Sequence, residues 1–275
     1  MWTLSGFADE IGPDLNDQLE VVVDLGLSYI ELRSVWDVNV LDLSDAQRAE
    51  VAAALADRGI RVSSIGSPIG KIAITDDFAP HLDRMRHCVE VAQEFEAPYI
   101  RLFSFFMPAG GNPADHRDEV MRRMSALAEI GGAAGIAMVH ENEKEIYGDI
   151  PARCLDIVQT VDNEHLQIAW DAANFVQCGV RPFSQGYTML RPHLTYVQIK
   201  DALLAEGTVV PAGAGDGEVR ETIRALREDG FDGFFSLEPH LAAAGPFGGF
   251  SGPDLWRTAH EAFTRILTEE GIAFA

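Results

Sequence analysis

A single (β/α)8 barrel is the fold class that this sequence predicts, and three observations predict it. Short apolar segments alternate with helical ones eight times along the chain. No break in composition divides the 275 residues, a length common for one such barrel. The last four strand-like segments all end in polar or acidic residues, as happens where a barrel gathers its functional groups on one rim. The expectation is therefore one α/β domain over residues 1–275.

The first unit is a strand over 3–8 and a helix over 14–25, with Asp14 placed to cap the helix after Pro13. The second is a strand over 28–33 and a helix over 44–58, started by Ser44 and stopped by Gly59. A strand over 60–66 leads to a helix over 80–95, and a strand over 99–104 to a helix over 114–134 that Gly135 ends. The second half repeats the pattern: strand 136–141 with helix 151–161, and strand 166–171 with a short helix over 183–190. Strand 194–200 precedes helix 218–229, and strand 234–238 precedes helix 253–270. Several of these strands begin almost wholly apolar, as in a parallel sheet buried on both faces. An open doubly wound sheet would favour a Gly-x-Gly-x-x-Gly turn after the first strand. The turn here reads Asp9-Glu10-Ile11-Gly12-Pro13, which is no dinucleotide fingerprint.

Hydrophobic residues make up 47% and charged residues 23% of the chain, which excludes a disordered protein. Lys and Arg number 21 against 43 Asp and Glu, a net charge of −22. Such a surface repels phosphate backbones and argues against nucleic acid and anionic membranes as partners. The N-terminal residues Met1–Gly6 lack a basic start and a long apolar run. No segment reaches the roughly 18 consecutive apolar residues of a membrane span. Cys88, Cys154 and Cys178 are scattered, with no Cys-x-x-Cys pair, and read as reduced thiols of a cytoplasmic protein.

The strand ends carry the chemistry. Strand five ends in His140-Glu141-Asn142, and strand six in Trp170-Asp171 followed by Ala172-Ala173-Asn174. Strand seven reads Tyr196-Val197-Gln198-Ile199-Lys200-Asp201, and strand eight Ser236-Leu237-Glu238-Pro239-His240. On one barrel rim, adjacent strands bring Glu141, Asp171, Gln198 and Glu238 together, with gaps of 30, 27 and 40 residues that each fit one βα step. Three carboxylates so placed repel one another and lose solvation, and a divalent cation relieves both penalties. Oxygen donors suit Mg2+ or Mn2+ and also accept Co2+ or Zn2+. Each carboxylate alone is as readily a solvated or helix-capping group; their recurrence in phase on successive strands favours the site.

Around this set the readings stay open. Gln198 either ligates the metal or hydrogen-bonds a ligand or water. Lys200, two residues on and so on the same side, binds a substrate hydroxyl, carboxylate or phosphate, or pairs with a carboxylate. His140 and His240 flank the proposed ligands as pocket-lining or supporting groups. Arg101 on strand four pairs with Glu31 on strand two or binds substrate oxygens, the pairing being favoured. The stretch Pro211-Ala212-Gly213-Ala214-Gly215-Asp216-Gly217 reads as a turn into the seventh helix rather than a phosphate cradle. Loops 108–113 and 245–252 are candidate lids over the barrel mouth.

The order His-Glu-Asn, Trp-Asp-Ala-Ala-Asn, Gln-Ile-Lys-Asp and Leu-Glu-Pro-His resembles the sugar phosphate isomerase/epimerase family. That family belongs to the xylose isomerase-like TIM barrels, with ketose 3-epimerases and inosose dehydratases. The resemblance runs from Gly6-Phe7-Ala8-Asp9-Glu10 to strand eight. It implies one divalent metal held by Glu141, Asp171, Gln198 and Glu238, with His140, Asn142, Asn174, Lys200, His240 and Arg101 as substrate-binding candidates. Gln198 departs from the pattern, since the family usually has His there; an all-oxygen set biases the site toward Mn2+ or Mg2+.

The implied chemistry is proton transfer on a small sugar or cyclitol. The metal would polarise a carbonyl, and Glu141 and Glu238 would serve as base and acid. Return of the proton to the opposite face epimerises the centre, return to the neighbouring carbon isomerises the sugar, and loss of a β-hydroxyl dehydrates it. The alternatives are a lyase or dehydratase acting on a keto-cyclitol or 3-keto-glycoside, and a non-catalytic sugar-binding barrel. A nuclease acting on abasic DNA would need a cationic groove and further His and Asp ligands, against which the net charge of −22 counts. No interface signature is visible, and a homo-oligomer stays open.

Overall fold

The computed structural model describes residues 1–242, 244–245, 248–249 and 251–275. Eight parallel strands form one sheet: β1 (Thr3–Gly6), β2 (Tyr29–Leu32), β3 (Arg61–Ile65), β4 (Tyr99–Leu102), β5 (Ala137–Glu141), β6 (Leu166–Asp171), β7 (Leu194–Ile199) and β8 (Phe234–Leu237). Pairing runs in chain order from β2 to β8 and on to β1. A parallel bridge between Phe7 and Glu31 brings β1 against β2 and all but closes the barrel.

Helices cover the outside: α1 (Leu15–Asp24), α2 (Asp45–Asp57), α3 (Ala79–Glu94), α4 (Arg117–Ala133), α5 (Pro151–Val161), α6 (Ala172–Gln177), α7 (Val219–Glu228) and α8 (Gly252–Glu269). Their starts follow local chemistry. Asp14 accepts from the amides of Asn16 and Asp17. Ser44 and Gln47 form a reciprocal capping box at α2.

The unit after β6 differs from expectation. A helix begins at once, because Asp171 accepts the amide of Asn174 at 2.8 Å and so caps α6 itself. The helix expected over 183–190 follows as well, as a π-helical turn at Phe183–Tyr187 running into a short α-helix, Thr188–Leu190. Likewise, the start of the helix expected over 114–134 is a 3-10 turn, Pro113–His116.

Two of the apolar regions among the described residues pack against the sheet. The larger lies between sheet and helices and includes Leu4, Ile30, Ile100, Met138, Ile168, Trp170, Phe235 and Phe263. The smaller lies inside the barrel, where Val139, Ala169 and Tyr196 pack with Tyr99 and Phe234. Since side chains alternate along a strand, the inward set that includes Val139, Ala169 and Tyr196 continues upward to Glu141, Asp171 and Gln198. The hydrogen-bonded ladder of β2, β7 and β8 stops one residue before Arg33, Lys200 and Glu238. These long polar side chains therefore stand at the rim.

Candidate metal centre

Glu141, Asp171 and Glu238 come from three strands, and each places a carboxylate oxygen within 4.8 Å of the others. All three are buried. Asp171 pairs in register with Gln198, and Gln198 with Ser236, so the amide of Gln198 stands at the same level. Its Nε2 donates to Glu31 Oε2 at 3.0 Å, while its Oε1 is buried with no hydrogen-bond partner among the described residues. Three of the four expected ligands are thus gathered, and the fourth, Gln198, stands in register beside Asp171. An oxygen-rich cluster with an unpartnered carbonyl oxygen fits a hard divalent ion.

The protein's own cations lie among these acids. Lys200 Nζ sits 2.8 Å from Glu238 Oε2 and 2.9 Å from Asp171 Oδ2. Of the two readings for Lys200, the carboxylate pairing is realised. Arg101 Nη1 donates to Glu141 Oε2 at 3.0 Å and lies 3.6 Å from Glu238 Oε1. This corrects the favoured pairing of Arg101 with Glu31: the Glu31 carboxylate is instead taken by Gln198 and by Ser236 Oγ at 2.7 Å.

The remaining candidates separate. Asn174 Nδ2 donates to Glu141 Oε1 at 3.2 Å and to the Asn142 carbonyl at 2.9 Å. Asn142 exchanges two 2.9 Å bonds with the backbone of Asp171, so its amide ties β5 to β6. His240 Nε2 lies 3.5 Å from Glu238 Oε1 and 3.2 Å from Glu10 Oε1. Alternation along β5 puts His140 on the face opposite Glu141. It packs against Gly148 and Ser104, where a Cβ on Gly148 would fall 2.3 Å from its Cε1. The structure does not bring His140 to the carboxylates.

Burial and neighbouring charge set the ionisation. Burial pushes Glu141 up to about 8 against the pull of Arg101, and the charges of Glu238 and Asp171 add to the rise. Asp171 is raised to about 6, chiefly by burial. Burial would raise Glu238 too, but the charges of Lys200, Arg101 and Arg33 together hold it well below the usual carboxylate range. Burial lowers His240 to about 3, and His140 likewise.

The glycine-rich stretch before α7 is bound by the protein itself. Asp201 accepts from the amides of Gly213, Gly215 and Gly217 at 2.8–3.0 Å. A Cβ on Gly215 or Gly217 would fall 2.5 or 2.6 Å from Asp201 Oδ1, so glycine is required for this approach. The amides that a phosphate would use are taken, as the turn reading expects. The candidate lid over 245–252 falls in part on residues outside the described ones. A groove of about 620 Å3 opens beside Asp162, Asn163, His165, Leu166 and His193, which lie where the chain enters β6 and β7, at the barrel end opposite the carboxylates. No helix among the described residues is long and apolar enough to cross a membrane.

The sequence profile of the xylose isomerase-like TIM barrel family matches residues 19–266. The chain belongs to this family. Among solved structures, this xylose isomerase-like barrel is similar to a D-tagatose 3-epimerase-like protein, with a TM-score of 0.79 and 16% identity over 98% of this chain and 100% of that one. It is similar to the probable 3-DHS dehydratase AsbF from Bacillus anthracis, with a TM-score of 0.75 and 18% identity over 96% and 98%. It also resembles a xylose isomerase-like TIM barrel protein from Mycobacterium smegmatis solved in complex with magnesium, with a TM-score of 0.70 and 21% identity over 98% and 96%. At these identities the likeness is one of fold. No curated protein matches the chain.

Sequence reasoning about this xylose isomerase-like barrel missed the ionic groups of the first two strands. Asp9 holds Arg33 through two bonds, of 2.7 and 3.1 Å, and Arg33 Nη1 reaches Glu238 Oε1 at 3.1 Å. Glu10, fully buried, accepts the amide of His240 at 2.8 Å and Ser251 Oγ at 2.9 Å. Burial raises Glu10 to about 8. A second group of possible ligand atoms within 4.8 Å, from Glu10, Glu238 and His240, results. The available signal was positional: Arg33 follows Glu31 by two residues, and Asp9-Glu10 lies just past β1, so all three point to the same rim.

Proposed function

We propose that this protein is a divalent-metal-dependent isomerase or epimerase of a keto sugar or sugar derivative. The observation that carries the reading is the convergence of Glu141, Asp171 and Glu238 within 4.8 Å, with the unpartnered Gln198 carbonyl oxygen in register beside Asp171. Glu141, Asp171, Gln198 and Glu238 would hold the ion, and an all-oxygen donor set favours Mn2+ or Mg2+. When bound, the ion supplies Lewis-acid polarisation of a substrate carbonyl.

The protein's own residues supply the rest. Glu141 and Glu238 flank Arg101 Nη1 at 3.0 and 3.6 Å. Burial raises Glu141, while Lys200, Arg101 and Arg33 lower Glu238, so the two carboxyls stand in different environments. Glu141 and Glu238 would serve as the acid–base pair. Lys200, Arg101 and Asn174 orient the pair, and the buried rim excludes bulk water. Cys88, Cys154 and Cys178 are free thiols, which suits a reducing compartment such as the cytoplasm.

Metal content and proton exchange test the proposal together. The purified protein should bind about one Mn2+ or Mg2+ per chain and, with Mn2+ and a panel of keto sugars in D2O, place deuterium on a carbon beside a carbonyl. Product analysis then separates isomerisation and epimerisation from elimination. Metal binding without exchange on any sugar counts against this substrate class, and failure to bind metal under any condition transfers the reading to a sugar-binding barrel.

A further inference from the structure

We infer that Glu31 is the positioning residue that decides which end of the Gln198 amide faces the carboxylates; the inference rests on Gln198 being a metal ligand, as proposed above. The two ends of a glutamine amide are nearly equal in shape and opposite in chemistry. The carbonyl oxygen can hold a cation, and the NH2 group cannot. Gln198 is buried, so solvent does not choose between them.

Glu31 does. It reaches Gln198 from the opposite side of the barrel, 167 residues earlier in the chain. Its Oε2 accepts two hydrogen bonds, from Gln198 Nε2 at 3.0 Å and from Ser236 Oγ at 2.7 Å. An oxygen that accepts twice gives no proton back, so the NH2 end of Gln198 must face it. The carbonyl oxygen is left buried and unpartnered. A group behind a ligand that orients it typically accounts for about 10–100-fold in metal affinity.

The feature belongs to this chain because the amide does. Either ring nitrogen of an imidazole can ligate a metal, so a histidine loses no ligand by turning over. A glutamine does, and its orientation has to be imposed. The side chain introduced by Glu31→Gln could donate to Gln198 Oε1 and reverse the amide. Placed behind an imidazole, that same side chain could turn its carbonyl oxygen to the ring N–H and leave the other nitrogen free.

The test is Mn2+ binding by titration calorimetry on the full chain, with thermal unfolding to establish that each variant is folded. The effect of Glu31→Gln is measured in the Gln198 background and again in the Gln198→His background. The expected result is a loss in the first background about tenfold or more larger than the loss in the second, where only the charge of Glu31 is removed. Equal losses in both backgrounds, or none in either, overturn the inference while leaving the metal site standing. A wild-type protein that binds no Mn2+ overturns the proposed site itself, and the inference with it.

Discussion

Low in the barrel the interior is aromatic, and toward the C-terminal strand ends it is ionic. Tyr29, Tyr99, Tyr196 and Phe234 meet with ring centroids 4.9–6.0 Å apart. The polar atoms among them are paired: Ser63 Oγ lies 2.6 Å from Ser5 Oγ and 2.9 Å from Tyr196 Oη. The upper layer gathers the carboxylates of Asp9, Glu10, Glu31, Glu141, Asp171 and Glu238 around Arg33, Arg101 and Lys200, and leaves buried acceptors on Glu31 and Gln198 without hydrogen bonds among the described residues. Burial of unpaired acceptors is costly. The difference teaches that the same strands spend their lower pleats on packing and hold polar strain in the upper ones, where a cation or substrate can relieve it.

The largest effect should come from Glu238→Gln. That carboxylate meets Arg33, Arg101 and Lys200 and is one of the proposed acid–base pair. Turnover in the exchange assay should fall by roughly 10⁴, the upper end for an acid–base group, while circular dichroism still reports a folded barrel. An active variant would remove Glu238 from the chemistry.

Next comes a titration outside both layers, a background that any pH profile of the rim has to subtract. His81 is buried, and its Nε2 accepts the Gly70 amide at 2.7 Å. Burial, with the charges of Arg84 and Arg123, lowers it from 6.5 to about 4. The fold therefore favours neutral His81: its contribution is complete above about pH 6.5, declines as pH falls, and is gone below about pH 4. Denaturant unfolding at pH 7 and pH 4 should show wild type losing about 3 kcal/mol more than His81→Gln, whose amide oxygen can accept the same bond without titrating. Equal losses would separate His81 from acid stability.

The smallest effect sharpens the contrast from below. Tyr196→Phe keeps the ring and removes one bond to Ser63, which still holds Ser5 and the Ile30 carbonyl. Stability should drop by about 1 kcal/mol with Mn2+ affinity unchanged. A large loss of affinity would mean that the two layers are coupled.

Much of the site was legible because β-strands alternate strictly and a barrel puts all strand ends on one rim. Glu141, Asp171, Gln198 and Glu238 follow from that rule, and so does the side shared by Gln198 and Lys200. His140 was less legible: adjacency to Glu141 in sequence is opposition in a strand. The helix after β6 was hidden because Asp171 is at once the end of a strand and the cap of a helix. Arg33 carried the same two-residue spacing from Glu31, yet nothing local told that it would reach Glu238, 205 residues away.

Periodicity, turn residues and polar strand ends by themselves determined the eight βα units and the placing of Glu141, Asp171, Gln198 and Glu238 on one rim, since these depend on local pattern and on one closure. Only the tertiary structure decided the partners. Arg101 goes to Glu141 rather than Glu31, Lys200 bridges Asp171 and Glu238, and Glu31 takes the amide of Gln198. Opposite charges in a crowded rim have many possible pairings, and which forms depends on angstrom-scale distances across the barrel and on burial. Neither is written in the spacing of residues along the chain.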